Sequence, residues 1–193
     1  MVKHFYIFRH GQCPLNVSGH IQGQRFNGEL TAEGRRQAVR AAEQLKDKHI
    51  TLIISSPMKR ALQTAQIVAG KVKAPIWVDH RFIEVNMGVV EGMHISVVEK
   101  EFADLYNQWR NDKTGSIRFK DGETKSEVRR RIFSGLNYYA ENTPHPNIGI
   151  SSHGIAISQI MQYLGHECSD VPNGAILHIS HQAQNWQYHE FLH

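Results

Sequence analysis

Long apolar runs are missing from this chain. No stretch approaches the ~18 consecutive apolar residues of a membrane helix. Met1-Val2-Lys3-His4 leads into an apolar run of only four residues, too short for the core of a signal peptide. Cysteine is scarce: Cys13 and Cys168 cannot build a disulfide framework and fit a reducing compartment. A cytoplasmic protein without a membrane partner is therefore expected. Zinc-type spacings are absent too, with no His-Glu-x-x-His and no cysteine pair. The close pair His178 and His181 lies on a predicted strand, where residues three apart face opposite sides. No metal is expected. A strong charge bias is also missing, since 22 basic and 18 acidic residues leave a net charge of +4. The one basic run, Arg129-Arg130-Arg131, falls in a predicted helix and reads as a solvated face rather than a nucleic-acid contact. So mild a positive balance suits a site for a small anion.

Neither a repeat, a low-complexity tract nor a long linker interrupts the chain. Residues 1–193 are read as a single domain, long enough for one substantial core. Strands and helices alternate. Strands are predicted near 4–9, 52–56, 76–78, 148–151, 175–180 and 185–191. Helices are predicted from Thr31 to about 47, from a Ser56 cap to about 69, over 95–109, from Thr124 to about 140 and from Gly154 to about Leu164. Ser56-Pro57 has the form of a cap followed by a first-turn proline, and Thr124-Lys125-Ser126-Glu127 that of a capping box. The stretch 79–95 is irregular and is expected to cover the site. This order implies an α/β fold of three layers. A mostly parallel sheet has helices on both faces, and its last two strands form an antiparallel edge.

What the chain does contain is Arg9-His10-Gly11 at the end of the apolar run Phe5-Tyr6-Ile7-Phe8. A buried strand thus delivers an arginine and a histidine to a sheet end, where ligands of open α/β folds bind. Imidazole nitrogen can attack phosphorus, and guanidinium grips two phosphate oxygens at once. A second such delivery follows at Ser152-His153-Gly154, behind Ile148-Gly149-Ile150. Phosphoryl transfer needs an in-line nucleophile, cations, a proton donor and exclusion of stray water. His10 is the candidate nucleophile, and Arg9 and Arg60 are the clamps. His153, before a helix start, would add free backbone N–H groups for phosphate. Asn16 is a neutral donor within reach of the loop. Glu84 and Glu91 both qualify as proton donor on these grounds.

Five segments resemble the histidine phosphatase superfamily, in its phosphoglycerate mutase-like branch. They are Phe8-Arg9-His10-Gly11-Gln12, Ser55 to Ala65, Glu84 to Gly92, Asp121-Gly122-Glu123-Thr124 and Ser151-Ser152-His153-Gly154. Together they run from Phe8 to about Asn173, nearly the whole chain. The resemblance selects Glu84 over Glu91 and implies a two-step reaction. His10 takes the phosphoryl group while Glu84 protonates the leaving alcohol, and water then releases phosphate. Arg9, Arg60 and His153 complete the catalytic set, with Asn16, Gln22 and Gly154 binding substrate and the 121–124 loop helping to close the pocket. No metal or cofactor enters this scheme. The chain departs from the family where Cys13 replaces the usual Ser or Thr, at Ile155 after the second His-Gly, and at Val90 before the Glu-Gly pair. The mutases it resembles are longer, with inserted segments around the sugar acid. The expected activity is thus hydrolysis of a small phosphorylated metabolite, with mutase-type transfer as the alternative. Pocket walls are expected from residues 13–29, 84–110 and 112–123; Phe26, Tyr106 and Trp109 read as core. Oligomeric state is not legible.

Overall fold

One six-stranded sheet organises the computed structural model, which describes residues 1–168 and 170–193. Its strands are β1 (Lys3–Arg9), β2 (Leu52–Ser55), β3 (Ile76–Val78), β4 (Asn147–Ser152), β5 (Ile176–Gln182) and β6 (Asn185–Leu192). Across the sheet the order is β3-β2-β4-β1-β5-β6. The first four are parallel, β5 runs antiparallel to β1, and β6 antiparallel to β5. Phe5, Ile7, Phe8, Leu52, Ile53 and Ile54 are all fully buried. Such unbroken apolar runs are what parallel strands covered on both faces require.

Seven helices lie among the described residues: α1 (Pro14–Val17), α2 (Ala32–Leu45), α3 (Lys59–Val72), α4 (Ile95–Glu101), α5 (Ala103–Asn111), α6 (Lys125–Asn142) and α7 (Gly154–Tyr163). Side chains alternate along a strand, so β1 feeds two cores. Tyr6 and Phe8 pack with Ala41, Ala42 and Leu45 of α2 and Ala65 and Val68 of α3. Phe5 and Ile7 belong to the opposite core, with Ile132 and Leu136 of α6 and Ile157 and Ile160 of α7. The three-layer α/β architecture with an antiparallel edge is present as the sequence implies.

Two element boundaries differ from expectation. α3 begins at Lys59 behind Met58, not at Pro57. The Ser56 hydroxyl does not cap a helix beginning there; it accepts a hydrogen bond from the Met58 N–H at 3.3 Å and faces His153. The helix expected over 95–109 breaks at Phe102, whose φ of −120° is non-helical, into α4 and α5. Its ring is drawn toward the core beside Phe119. The Thr124 capping box forms as read, the Thr124 and Glu127 side chains each accepting from the other's backbone N–H.

Gly11 shows how tightly the loop after β1 is seated. A Cβ there would stand 2.1 Å from the Gly34 carbonyl oxygen at the start of α2. Because the obstacle is backbone, Gly11→Ala is expected to cost about 3 kcal/mol or more in urea unfolding. A loss below about 1 kcal/mol would contradict this packing.

Candidate active site

The register sets Arg9 opposite Ser152 and Ser55 opposite Ser151, so the C-terminal ends of β1, β4 and β2 lie level. His10, His153 and Ser56 leave these ends side by side. The His10 N–H donates to the Ser152 carbonyl at 3.0 Å. The two imidazoles meet edge to face with ring centres 5.1 Å apart. Arg60 enters from the first turn of α3, and Glu84 from the segment after the short 3-10 turn His80–Phe82.

These groups border a cavity of about 210 Å³ that includes Arg9, His10, Asn16, Gln22, Arg60 and Glu84. His10 is 2 % exposed. Its Nδ1 lies 2.7 Å from the Gly11 carbonyl, which can only accept. Nδ1 therefore carries the proton, and Nε2 keeps its lone pair. Burial, then the Arg60 and Arg9 charges, hold the His10 pKa well below the ordinary histidine value. Burial and Arg60 do the same for His153. A buried imidazole with a fixed free nitrogen beside two guanidiniums has the chemistry to attack an electrophilic centre carried by an anion.

Arg60 is fully buried and anchored by two carbonyls, Nη1 to Phe26 at 2.8 Å and Nη2 to Gly23 at 2.9 Å. Arg9 bonds the Val171 carbonyl and lies 4.0 Å from the exposed Asp170 carboxylate. Among the described residues, Arg60 forms no ion pair with a carboxylate, and the one Arg9 forms is long and exposed. Arg9 Nε, Arg60 Nε and His153 Nδ1 are buried without a hydrogen-bond partner among the described residues. The two guanidinium Nε–H groups are buried donors without an acceptor, which is costly, and an oxyanion in the cavity that Arg9 and Arg60 line would supply one.

Cys13 takes an unforeseen part. Its buried thiol lies 3.1 Å from Asn16 Oδ1 and 2.9 Å from Gln22 Oε1. The Cys13 N–H also donates to Asn16 Oδ1 at 3.1 Å, so the single S–H is free for Gln22 Oε1. Cys13 thus turns both amide oxygens toward itself and leaves their N–H groups as donors for a ligand.

Glu84 and Glu91 now part company. Glu84 lines the cavity, with its carboxylate accepting from the N–H groups of Val85 (2.9 Å), Ile155 (3.3 Å) and Ala156 (3.3 Å). It occupies the N-terminus of α7, so the N–H groups of Ile155 and Ala156, expected to be free for phosphate, are already engaged. Glu91 instead accepts from the backbone of Gln24, Arg25 and Met87, tying two loops together.

Not every expected residue reaches the cavity wall. His153 is fully buried behind His10, its Nε2 on Ser56 Oγ at 2.7 Å. Gly154 lies beneath Arg9: a Cβ on it would come 3.4 Å from Arg9 Nε. Residues 112–123 contribute nothing to the wall. They brace the site from behind, where Glu123 accepts from the Asn86 N–H at 2.8 Å and pairs with Arg131 at 2.9 Å. Tyr106 and Trp109 do line the cavity, whereas Phe26 does not. His20, Ile21, Val85, Met87, Ile95 and Ile155 are further lining residues. No local pattern marks them. A wider cleft of about 580 Å³, bordered by Arg118, Glu127, Arg130 and Arg131, holds none of the catalytic candidates.

The Arg129-Arg130-Arg131 run is no uniform solvated face. Arg131 donates to the carbonyls of Arg81, Ile83 and Glu84, and Gln24 Nε2 donates to the Glu84 carbonyl as well. Arg131 is thus a positioning residue for Glu84. Arg131→Met should lower kcat on the order of tenfold to a hundredfold with KM little changed. An unchanged kcat in a folded variant would remove that role.

The family model described as histidine phosphatase superfamily (branch 1) matches residues 5–191. The chain belongs to that superfamily. Probable phosphoglycerate mutase GpmB of Proteus mirabilis is 37% identical over 162 residues, covering 81% of this chain and 72% of that protein. The protein of the same name from Escherichia coli is 36% identical over 152 residues, covering 79% and 70%. Among solved structures, a mycobacterial glucosyl-3-phosphoglycerate phosphatase complexed with VO3 superposes with a TM-score of 0.88 at 25% identity over 97% of both chains. Bacillus stearothermophilus YhfR, with a TM-score of 0.87 and 22% identity over 96% and 95% of the chains, shares the fold. This histidine phosphatase superfamily member is thus similar to proteins named as mutases and as phosphatases. No helix among its described residues is long and apolar enough to cross a membrane.

The depressed histidines set a pH dependence. His10, His153, His4 and His181 are lowered by burial, and His178 falls to about 4. Between those values and about 6.5, the unfolded chain binds more protons than the folded one, so stability falls as pH falls. The melting temperature is expected to drop on acidification from pH about 7 to 5. A flat or rising profile would contradict neutral buried imidazoles.

Proposed function

We propose that the protein hydrolyses phosphate monoesters through a phosphohistidine on His10. The observation that carries this reading is the lone pair on His10 Nε2, fixed by the Nδ1 bond to Gly11 and set among Arg9, Arg60 and orphaned donors. In the first step Nε2 attacks phosphorus and the bond to the leaving oxygen breaks. Glu84 gives that oxygen its proton, so an alcohol leaves. In the second step Glu84 takes a proton from water, the water oxygen attacks phosphorus, and the P–N bond breaks. Phosphate departs and His10 is restored. Arg9 and Arg60, with the amides of Asn16 and Gln22, bind the non-bridging oxygens and their growing charge. These side chains supply the positive charge, so turnover should survive a chelator.

The outer cavity favours hydrolysis over mutase transfer. Ile21, Val85, Met87, Ile95, Tyr106, Trp109 and Ile155 line it, and Arg9 and Arg60 are its only Lys or Arg side chains among the described residues. Both belong to the transferring phosphate. No further guanidinium or ammonium awaits the carboxylate of a sugar acid or a second phosphate. The preferred substrate would therefore carry one phosphate on an uncharged, partly apolar leaving group.

EDTA-treated protein should be given aryl and alkyl monophosphates in parallel with 3-phosphoglycerate plus a bisphosphoglycerate primer. The expected result is phosphate release fastest from the apolar esters, with kcat/KM for 3-phosphoglycerate on the order of tenfold or more lower. Interconversion of 2- and 3-phosphoglycerate outpacing phosphate release would establish the mutase instead.

A further inference from the structure

Far from the catalytic end, three histidines gather on one face of the antiparallel edge. On β1, His4 shares its face with Tyr6. The register sets His4 opposite Ser180 and Tyr6 opposite His178, placing His178 and Ser180 on that face too. On β6 the regular pairing breaks: Glu190 lies opposite His178 but Tyr188 opposite Ile179, so His189 is the extra residue of a bulge. Bulges re-aim side chains. Here the His189 ring stacks on His178 at 4.5 Å and stands 5.9 Å from His4. One ligand nitrogen from each histidine lies within 4.8 Å of the other two. His4 Nδ1 is 3.0 Å from His178 Nε2, and His178 Nδ1 faces Glu190 Oε1 at 3.6 Å.

We propose that His4, His178 and His189 bind a divalent transition-metal ion of the zinc class, clipping β1, β5 and β6 together. Tetrahedral zinc with bonds of about 2.0–2.1 Å keeps its ligand atoms about 3.4 Å apart. His4 Nδ1 and His178 Nε2 already stand 3.0 Å apart, and His189, whose Nε2 is 2.8 Å from Ser180 Oγ, must turn out of its stack on His178 to complete the set. Three imidazoles suit zinc, copper or nickel better than magnesium or calcium. Glu190 stands behind His178 as the carboxylate that orients a metal-bound imidazole. Lys48 also pairs with Glu190 at 3.5 Å, which tempers the negative charge. His189 is exposed, leaving a side open for water as a fourth ligand. His4 precedes His10 by six residues, about 20 Å along an extended strand. The ion would act on stability, and hydrolysis would not depend on it.

The test uses the full chain stripped with EDTA and dialysed free of chelator. Co(II) is titrated with its visible absorption recorded, and Zn(II) by calorimetry. The wild type, His10→Ala, His189→Ala and a His178→Gln/His189→Gln double variant are compared. The expected result is one ion per chain in the wild type and in His10→Ala, with the intense absorption of low-coordinate cobalt. His189→Ala should weaken binding at least tenfold and the double variant at least a hundredfold. Zn(II) should raise the wild-type melting temperature by several degrees and leave that of His189→Ala unmoved. His189 is exposed, so its variant keeps the fold and decides the matter even if the double variant does not fold. Absence of stoichiometric binding, or equal affinity in wild type and His189→Ala, would overturn the site. Binding lost in His10→Ala but kept in His189→Ala would place the ion at the catalytic centre and equally overturn it.

Discussion

Replacing His10 with alanine is expected to lower kcat/KM for any phosphomonoester by on the order of 10³-fold or more, without unfolding the protein. Among the described residues at the strand ends, His10 is the histidine that lines the cavity with Arg9 and Arg60; His153 lies buried behind it. Alanine leaves Arg9 and Arg60 in place, so phosphate should still bind as a product-like ligand. Loss of turnover with retained phosphate binding therefore separates a missing nucleophile from a collapsed site. The acid limb of the wild-type pH–rate profile should lie below the ordinary histidine value of about 6.5, because His10 stays neutral there. Its sign follows from the depressed pKa: protonation, which blocks Nε2, sets in only at lower pH. A limb centred near 6.5 would imply an exposed, unperturbed imidazole at the reacting centre.

Glu84→Gln carries the second large effect, and the leaving group determines its size. Glutamine can keep the Val85 and Ala156 N–H bonds that Glu84 Oε1 accepts, but it puts a donor NH2 where Oε2 accepts from Ile155, and it cannot pass a proton. An alkyl phosphate leaves as a strongly basic alkoxide, so its hydrolysis should slow on the order of 10²–10⁴-fold. Nitrophenolate needs little protonation, so para-nitrophenyl phosphate should still phosphorylate His10 quickly. Water attack then lacks its base, and the variant should show a burst of about one nitrophenol per chain before a slow steady rate. Equal slowing of both substrates with no burst would assign the proton transfer elsewhere.

How much of this was legible beforehand depended on the range of the interaction. The buried runs of β1, β2 and β4 and the Thr124 capping box are local patterns, and each forms where the sequence places it. The strand-end motifs were legible for the same reason, since Arg9-His10 and His153 follow directly on apolar runs. Long-range bonds were not. Arg131 reads as surface charge until α6 packs it against carbonyls 48 and 50 residues away. Composition and spacing leave Glu84 and Glu91 equivalent; the family resemblance selects Glu84, and tertiary placement gives it the cavity and Glu91 a pair of loops. Cys13 looked like a missing hydroxyl, yet its N–H and thiol align two amides. The histidine cluster on the edge depends on a bulge, a one-residue register shift that period-two reasoning passes over.

A rapid-quench experiment tests the central claim most directly. EDTA-treated protein would be mixed with para-nitrophenyl phosphate, quenched in alkali to preserve an acid-labile P–N bond, digested and examined by mass spectrometry. Phosphate on the peptide bearing His10, absent from His10→Ala and lost at a rate matching turnover, is the expected result. Steady turnover with no phosphorylated His10, or turnover that persists in His10→Ala and fails with EDTA, would contradict it.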